Sequence, residues 1–157
     1  MTSKKLTPYF LLTTIVIFID QVSKLMIEAT FQFGEFVPVT SFFNLGLTYN
    51  PGAAFSFLAD HNGWQRWFFT ALSLFASIFI VFYMRKNRHL PKLCIGLAFI
   101  LGGAIGNLID RVRIGKVVDF LDFYVGNSHW PAFNLADSAI FVGVVILLLD
   151  EFRQKKI

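Results

Sequence analysis

The stretch "FNLADSAIFVGVVILLL", residues 133–149, decides the fold class of this 157-residue chain. Most of it is apolar, and its length approaches the roughly 20 residues that an α-helix needs to cross a bilayer. Its first turns nevertheless contain Asn134 and Asp137, whose polar side chains are disfavoured in hydrocarbon. The pattern predicts a membrane helix whose polar end faces protein or a water-filled cavity.

The composition agrees with a membrane protein. Hydrophobic residues make up 55% of the chain and its mean hydropathy is +0.61, above what a soluble domain shows. The formal net charge of +4 does not indicate nucleic acid binding, because the cations cluster at the ends of apolar runs. The single cysteine, Cys94, excludes an intramolecular disulfide and a cysteine-based zinc site, and its apolar surroundings predict a small buried side chain.

Four apolar runs predict an all-α integral membrane protein with a four-helix transmembrane bundle. It forms a single domain, 1–157, with helices near residues 9–28, 65–84, 93–111 and 133–150. Cations at Lys4 and Lys5, in the 85–92 loop and in the C-terminal tail favour cytoplasmic termini. The extracytoplasmic segments are then about 29–64 and 112–132.

The first extracytoplasmic segment contains a strand pattern. In "FFNLGLTYN" the side chains of Phe43, Leu45, Leu47 and Tyr49 alternate with small or polar ones. A period of two is typical of a half-buried strand, and Pro38 and the following "NPG" interrupt the pattern. We therefore predict a small extracytoplasmic β-sheet against the membrane surface.

The third run ends in "LGGAIGNLIDRV", where glycines and polar residues share helical faces. The spacing of Gly102 and Gly106 predicts a close helix crossing. Asn107 and Asp110 are candidate functional residues, because polar groups at this depth face protein or water. Arg111 has three open roles: reaching the lipid headgroups, pairing with Asp110, or contacting an anionic or carbonyl group of a substrate.

Two further carboxylates follow in "GKVVDFLDFY". The apolar neighbours of Asp119 predict that its side chain points inward, whereas Asp122 is expected in a solvated loop. Asp137 has a structural role of its own, because an Asp near a helix N-terminus complements the free N–H groups, with Asn134 as the cap. Five of these polar side chains are expected at one depth near the outer interface: Asn107, Asp110, Asp119, Asn134 and Asp137. That grouping favours a functional site.

Paired carboxylates fit proteolysis by activated water, because two close carboxyls in a dry place share one proton. One then accepts a proton from water while the other donates to the scissile carbonyl. A small proton-coupled transporter and a structural membrane subunit remain alternatives at this point. Metal binding is disfavoured, since no histidine lies in these motifs.

Five motifs then match a known family. They are "DQVSK" (20–24), "YNPGAAFSFL" (49–58), "GGAIGNLIDR" (102–111), "VVDFLDF" (117–123) and "FNLADS" (133–138). In this order the motifs closely resemble those of bacterial lipoprotein signal peptidases, also called signal peptidase II. The resemblance covers nearly the whole chain.

The resemblance implies an integral membrane aspartyl endopeptidase that removes signal peptides from prolipoproteins. Cleavage would fall before the diacylglyceryl-modified cysteine, without metal or other cofactor, at the outer face of the bacterial cytoplasmic (inner) membrane. We expect a monomer that meets prolipoprotein substrates and membrane lipid, and no nucleic acid. The matching catalytic positions are Asp119 and Asp137.

Other positions of the same motifs carry expected supporting roles. Substrate contacts fall on Asn50, Asn107, Arg111 and Asn134. Gly52, with Ala53 and Ala54, is expected either to allow close approach of the substrate backbone or to form an ordinary turn. Asp20 and Asp110 are expected to support the fold around the catalytic pair.

Overall fold

The computed structural model describes residues 5–52 and 64–154, and within these ranges the chain forms four long helices. They are α1 (Thr7–Thr30), α2 (Trp64–Lys86), α3 (Pro91–Ile114) and α4 (Leu135–Gln154). Each coincides with a predicted helix to within a few residues at its ends. The predicted helical frame is thus confirmed, whereas Lys4, Ala53, Ala54 and the last three residues of the tail lie outside the described residues.

Three of these helices, α1, α2 and α3, are long and apolar enough to cross a membrane. Within the described residues α4 does not join them, because Asp137, Asp150 and Glu151 leave it no equally long stretch with so few charges. The four-span count and the position of the termini therefore stay predictions.

Proline and glycine mark the ends of α3, the most enclosed helix. Pro91 lies in its first turn, where a missing N–H costs no hydrogen bond. Gly115 ends it in the left-handed conformation with a φ of 78°, and its N–H donates to the carbonyl oxygen of Arg111. The chain therefore turns sharply after α3 and enters a strand.

Close helix packing at α3 depends on small residues, as the GxxxG spacing predicts. A Cβ at Gly102 would lie 2.7 Å from the Cβ of Val16 on α1, and one at Gly106 would lie 2.6 Å from Oδ2 of Asp20. On the other side, a Cβ at Gly103 would collide with the carbonyl oxygen of Ala136 on α4. The three glycines bring polar groups of α1, α3 and α4 within hydrogen-bonding distance.

The sheet is larger than predicted. Its antiparallel order is β1-β2-β3-β4, formed by β1 (Phe36–Thr40), β2 (Phe43–Asn50), β3 (Val117–Val125) and β4 (Ser128–His129). The strand prediction for β2 is confirmed, but β3 was not predicted from the second outer segment. Its first four residues are all buried, so β3 lacks the alternation that reveals a half-buried strand.

The expected alternation within β2 is also only partly right. Leu47 is buried as predicted, but Asn44 is buried as well. A register shift between Leu45 and Thr48 explains this, because a bulge reverses the side-chain direction on one side of it.

Two apolar clusters hold the helices and the sheet together. Between α2 and α3, Cys94 is fully buried against side chains that include Met84 and Leu101, which confirms its predicted role as a small buried residue. Between α1 and the sheet, Ile27 packs with Val118 and other strand residues. The second cluster fixes β3 over the C-terminal end of α1.

A short bridge fastens the start of α4 to the sheet. The backbone N–H groups of Phe120 and Leu121 donate to the carbonyl oxygen of Phe133 at 3.0 and 2.9 Å, and the Phe133 N–H donates to the Leu121 oxygen at 3.1 Å. This bridge brings Asn134, the next residue, beside β3.

Candidate active site

Asp119 and Asp137 reach one site from different elements. Asp119 belongs to β3 and is only 2% exposed, opposite Thr48 of β2. Asp137 lies in the first turn of α4 and is partly buried. Asn134 connects them, because its Nδ2 donates to Oδ1 of Asp119 at 2.7 Å while its Oδ1 accepts from the Asp137 N–H at 2.9 Å.

The first turn of α4 forms a reciprocal cap. The Asp137 N–H donates to Oδ1 of Asn134, and Oδ2 of Asp137 in turn accepts from the backbone N–H of Asn134 at 3.4 Å. This is the capping-box arrangement, and it confirms the structural role predicted for both residues. The other oxygen of Asp137, Oδ1, accepts from Nδ2 of Asn107 at 2.8 Å. The cap therefore leaves one carboxylate oxygen of Asp137 directed toward α3.

The Asn107 amide is shared by three side chains. Its Oδ1 accepts from Asn134 at 3.2 Å and from the Lys24 ammonium at 2.9 Å, and its Nδ2 donates to Asp137. Asn107 is 6% exposed, so these hydrogen bonds replace those that water would make. The amide joins the catalytic candidates to a second polar cluster.

That second cluster is an ion network between α1 and α3. The Lys24 ammonium is completely buried, 2.9 Å from Oδ2 of Asp20 and 2.8 Å from Oδ2 of Asp110. Asp20 also accepts from the backbone N–H of Ala136 at 2.8 Å, and Asp110 accepts from that of Val118 at 3.2 Å. The two carboxylates thus attach α1 and α3 to the start of α4 and to β3.

Lys24 was not among the predicted site residues. The sequence carries a signal for it, since Asp20 and Lys24 are four residues apart in an apolar helix and such a pair can meet on one face. A charge in the middle of an apolar run is costly unless it is paired. That signal indicates a buried ion pair, but not the contact with Asn107.

The surroundings of Asp119 give its carboxyl a higher pKa than an aspartate ordinarily has. Burial, and after it the nearby charge of Asp137, raise the pKa of Asp119 to about 7, although hydrogen bonds from Asn50 and Asn134 partly oppose the rise. A carboxyl with such a pKa holds a proton at neutral pH in about half of the molecules. The arrangement can therefore present one protonated and one ionised carboxyl together.

Arg111 does not pair with Asp110, one of the roles left open by the sequence, because Asp110 contacts Lys24 instead. Its guanidinium lies 5.4 Å from the ring centre of Phe69 on α2 and donates to Oγ of Ser73 at 3.4 Å. Its buried Nε has no hydrogen-bond partner within the described part of the chain.

Asn50 and Gly52 form a tight turn at the end of β2. Oδ1 of Asn50 accepts from the Gly52 N–H at 2.8 Å, which is an Asx turn. Gly52 has a φ of +113°, and a Cβ there would collide with the ring of Phe69. The turn chemistry expected as one role of Gly52 is present, and it places Asn50 beside Asp119.

Asp122 was wrongly expected in a solvated loop. It is 6% exposed in β3, where its Oδ2 accepts from Nδ2 of Asn44 at 2.7 Å and both of its oxygens lie 2.9 Å from Nδ1 of His129. Asp119 and Asp122 are three residues apart in one strand, so their side chains leave opposite faces of the sheet. Both are buried, but only Asp119 contacts Asn134.

An open apolar groove of about 390 Å³ begins at Asp137. Its other lining residues are Trp130, Phe133, Ser138, Phe141 and Val142. Among residues 5–52 and 64–154, no group of three or more His, Cys, Asp or Glu side chains is placed to hold a metal ion. The carboxyl group of Asp137 therefore lies beside a groove that suits an apolar chain.

Known proteins are similar to this chain in sequence and in fold. Residues 12–153 match the family described as Signal peptidase (SPase) II. A protein of Cupriavidus necator named lipoprotein signal peptidase is 57% identical over 140 residues, which are 89% of this chain and 80% of that protein. One of the same name from Janthinobacterium sp. (strain Marseille) is 50% identical over 153 residues, covering 98% and 93%.

Two solved structures described as bacterial membrane enzymes have the same fold. One, at 2.3 Å resolution, has a TM-score of 0.84 at 30% identity and covers 95% of this chain and 90% of its own. The other, at 1.9 Å, has a TM-score of 0.83 at 30% identity and covers 96% and 97%. With the family match over residues 12–153, this similarity shows that the chain is a membrane peptidase belonging to the signal peptidase II family.

Proposed function

We propose that this chain is a membrane-embedded aspartic endopeptidase that uses Asp119 and Asp137 to remove signal peptides from prolipoproteins. The scissile bond precedes the diacylglyceryl-modified cysteine. The observation that supports this most is the pair itself: two carboxyls joined through Asn134, with the pKa of Asp119 raised to about 7 and Asp137 lining an apolar groove. Such a pair activates water without a covalent intermediate.

In the proposed reaction a water molecule lies between the two carboxyls. Ionised Asp137 takes a proton from it as its oxygen attacks the carbonyl carbon, and protonated Asp119 donates to the carbonyl oxygen. The tetrahedral intermediate then breaks its carbon–nitrogen bond, the leaving amine takes the proton from Asp137, and a hydroxyl of the intermediate returns a proton to Asp119. Both oxygens of Asp137 accept from N–H donors, Asn107 Nδ2 and the Asn134 backbone, and this geometry supports its assignment as the base.

The substrate contacts follow from unused polar atoms and apolar surface. Arg111 retains a buried Nε that has no partner in the described part of the chain, and we assign it to a carbonyl or anionic group of the substrate. The side-chain amide of Asn50 contacts Asp119 from the β2 side. The groove beside Asp137 takes an apolar part of the precursor, and Gly52 keeps the nearby turn narrow.

The proposed membrane placement has four spans, with both termini in the cytoplasm. The cations Arg85 and Lys86 end α2 and support a cytoplasmic loop between α2 and α3. The sheet and the dyad then face the periplasm or cell exterior of the bacterial cytoplasmic (inner) membrane. We propose that one chain suffices for catalysis, with no cofactor, in contact with prolipoproteins and membrane lipid.

Cleavage of a synthetic precursor peptide by the purified enzyme in detergent tests the proposal. A peptide with a diacylglyceryl cysteine should be cut before that cysteine in the presence of EDTA, whereas the same peptide without lipid should be cut far more slowly. Mass spectrometry identifies the new termini. Cleavage at another bond, or equal cleavage of both peptides, would contradict the proposed specificity.

A further inference from the structure

The proposed mechanism leaves one buried charged group without a role, the ammonium of Lys24. It is completely buried and contacts Asp20 and Asp110 at 2.9 and 2.8 Å, which alone would suggest a structural ion cluster. Its third contact, at 2.9 Å, is Oδ1 of Asn107, whose other end binds Asp137. Lys24 is therefore separated from the proposed dyad by a single amide.

The direction of that amide follows from the chemistry of lysine. An ammonium has only hydrogen-bond donors, so the atom of Asn107 that faces Lys24 must be the oxygen. The nitrogen of the same amide must then face Asp137, to which it donates at 2.8 Å. If the amide were reversed, two donors would face each other at Lys24, and two acceptors at Asp137.

We infer that Lys24 is a positioning residue, which fixes the Asn107 amide so that its N–H donates to Asp137 and keeps that carboxyl the general base of the pair. The inference rests on the proposed dyad and adds a residue of α1 to its machinery. The contact between Lys24 and Asn107 joins residues 83 positions apart, and it is held by the close packing of α1 on α3.

A second donor to the same oxygen does not make Lys24 redundant. Asn134 also donates to Oδ1 of Asn107, but at the longer distance of 3.2 Å and with an N–H group that also lies near Asp119 and the Val118 carbonyl oxygen. Without the ammonium, the carboxylates beside it would attract the amide nitrogen. Loss of Lys24 thus favours reversal of the amide.

The test must remove the donor without changing the charge of the cluster. Lys24 carries one positive charge beside two carboxylates, so the double variant Lys24→Met/Asp110→Asn leaves the same net charge, that of Asp20 alone. Lys24→Gln/Asp110→Asn has the same charge and a similar size but retains an N–H donor for Asn107. Asp110→Asn alone retains Lys24 and is the reference for both.

The pH profile of kcat/KM on a lipidated precursor gives the readout. Losing an N–H donor disfavours the ionised form of Asp137, so its acidic limb should move to higher pH by about one unit in the Met form. The Gln form and the reference should keep the wild-type limb. At pH values below the acidic limb we expect kcat of the Met form to fall roughly tenfold, with KM unchanged within a factor of about two.

The charged groups around Asp137 do not account for such a shift. Asp119 on β3 and Arg111 on α3 are unchanged in all variants, and Asp20 on α1 stays in each. Thermal unfolding in detergent shows which variants are folded. Coincident profiles of folded Met and Gln forms would overturn the inference, because a purely structural Lys24 changes stability but not the acidic limb.

A further variant decides the matter if the Met form does not fold. Lys24→Leu/Asp110→Asn has the same charge as the Met form, also lacks an N–H donor for Asn107, and presents a different apolar shape to the cluster. An unchanged acidic limb in this variant would overturn the inference, and a shift to higher pH would support it.

Failure of the proposed function is recognised separately, by Asp119→Asn and Asp137→Asn in the same assay. If either is fully active, the dyad itself is wrong. If both are inactive and the Met and Gln forms coincide, only the role of Lys24 is wrong.

Discussion

Two pairs of carboxylates lie on either side of one buried asparagine, and they differ in what faces them. Asp20 and Asp110 contact the ammonium of Lys24 within 2.9 Å. Asp119 and Asp137 accept hydrogen bonds from amide N–H groups instead. The ammonium gives two carboxylates one shared positive charge, whereas buried Asp119 accepts from neutral amides and its pKa is raised to about 7. The same residue type therefore serves structure at one place and, in the proposed mechanism, proton transfer at the other.

The largest expected effect separates the two pairs by activity. Asp119→Asn and Asp137→Asn should each lower cleavage of a lipidated precursor by about 10³-fold or more, because each removes a proton-transfer group. The folded state should persist, since Asn keeps an oxygen acceptor for Asn134 at either position. Initial rates and thermal unfolding of the same preparations check both statements. Near-normal activity in either variant would show that the replaced carboxyl is not needed for proton transfer.

The next effect separates the pairs by stability. Lys24→Met should destabilise the protein by about 3 kcal/mol, because it leaves two buried carboxylates without their counter-ion. The control is Lys92→Met, since Lys92 pairs with Asp150 at 3.2 Å but is 58% exposed, and its loss should cost less than about 1 kcal/mol. Equal decreases in Tm would show that the buried cluster contributes no more than a surface pair.

A smaller effect tests the protonation state of Asp119. The pKa of Asp119 is raised to about 7, so its proton is present below that pH and lost above it. Cleavage that needs this proton should fall as the pH rises through about 7. Asp119→Asn removes a carboxyl whose ionisation opposes folding, so its Tm should exceed the wild-type Tm by a few degrees at pH 8 and converge with it near pH 4. A Tm difference independent of pH would contradict the raised pKa.

The smallest effect concerns access, because Asp137 of the proposed dyad lines a groove whereas Asp20 and Asp110 are fully buried. Trp130→Ala should raise KM roughly threefold to tenfold with kcat nearly unchanged, since Trp130 provides apolar surface for the substrate. Trp67→Ala, which removes another exposed tryptophan on α2, is the control. A large decrease in kcat for Trp130→Ala would indicate that the groove shapes the dyad and does not merely bind.

The sequence predicts the helices well because a membrane helix depends on the length and apolarity of one local segment. It predicts Asp119 and Asp137 through the resemblance of two short motifs to a known family. It does not predict β3, whose first residues are buried on both faces, or the burial of Asp122 by Asn44 and His129. These features depend on partners elsewhere in the chain.

The network around Lys24 shows the same limit more clearly. Lys24 and Asp20 are only four positions apart, so the sequence itself suggests their ion pair. In contrast, the hydrogen bond from Lys24 to Asn107 joins residues 83 positions apart, and the bond from the Ala136 N–H to Asp20 joins residues 116 positions apart. Only helix packing across Gly102 and Gly106 brings these groups together. A local pattern can therefore suggest that Lys24 is paired, but not that it orients a third side chain.

The bridge between Leu121 and Phe133 consists of main-chain hydrogen bonds. Side-chain substitution at either position leaves those bonds intact, although Phe133 also forms part of the groove wall. The wall next to the dyad is therefore free to change its shape in evolution while the spacing between β3 and α4 stays constant. Preference for different precursor sequences can diversify in this fold without rebuilding its catalytic geometry.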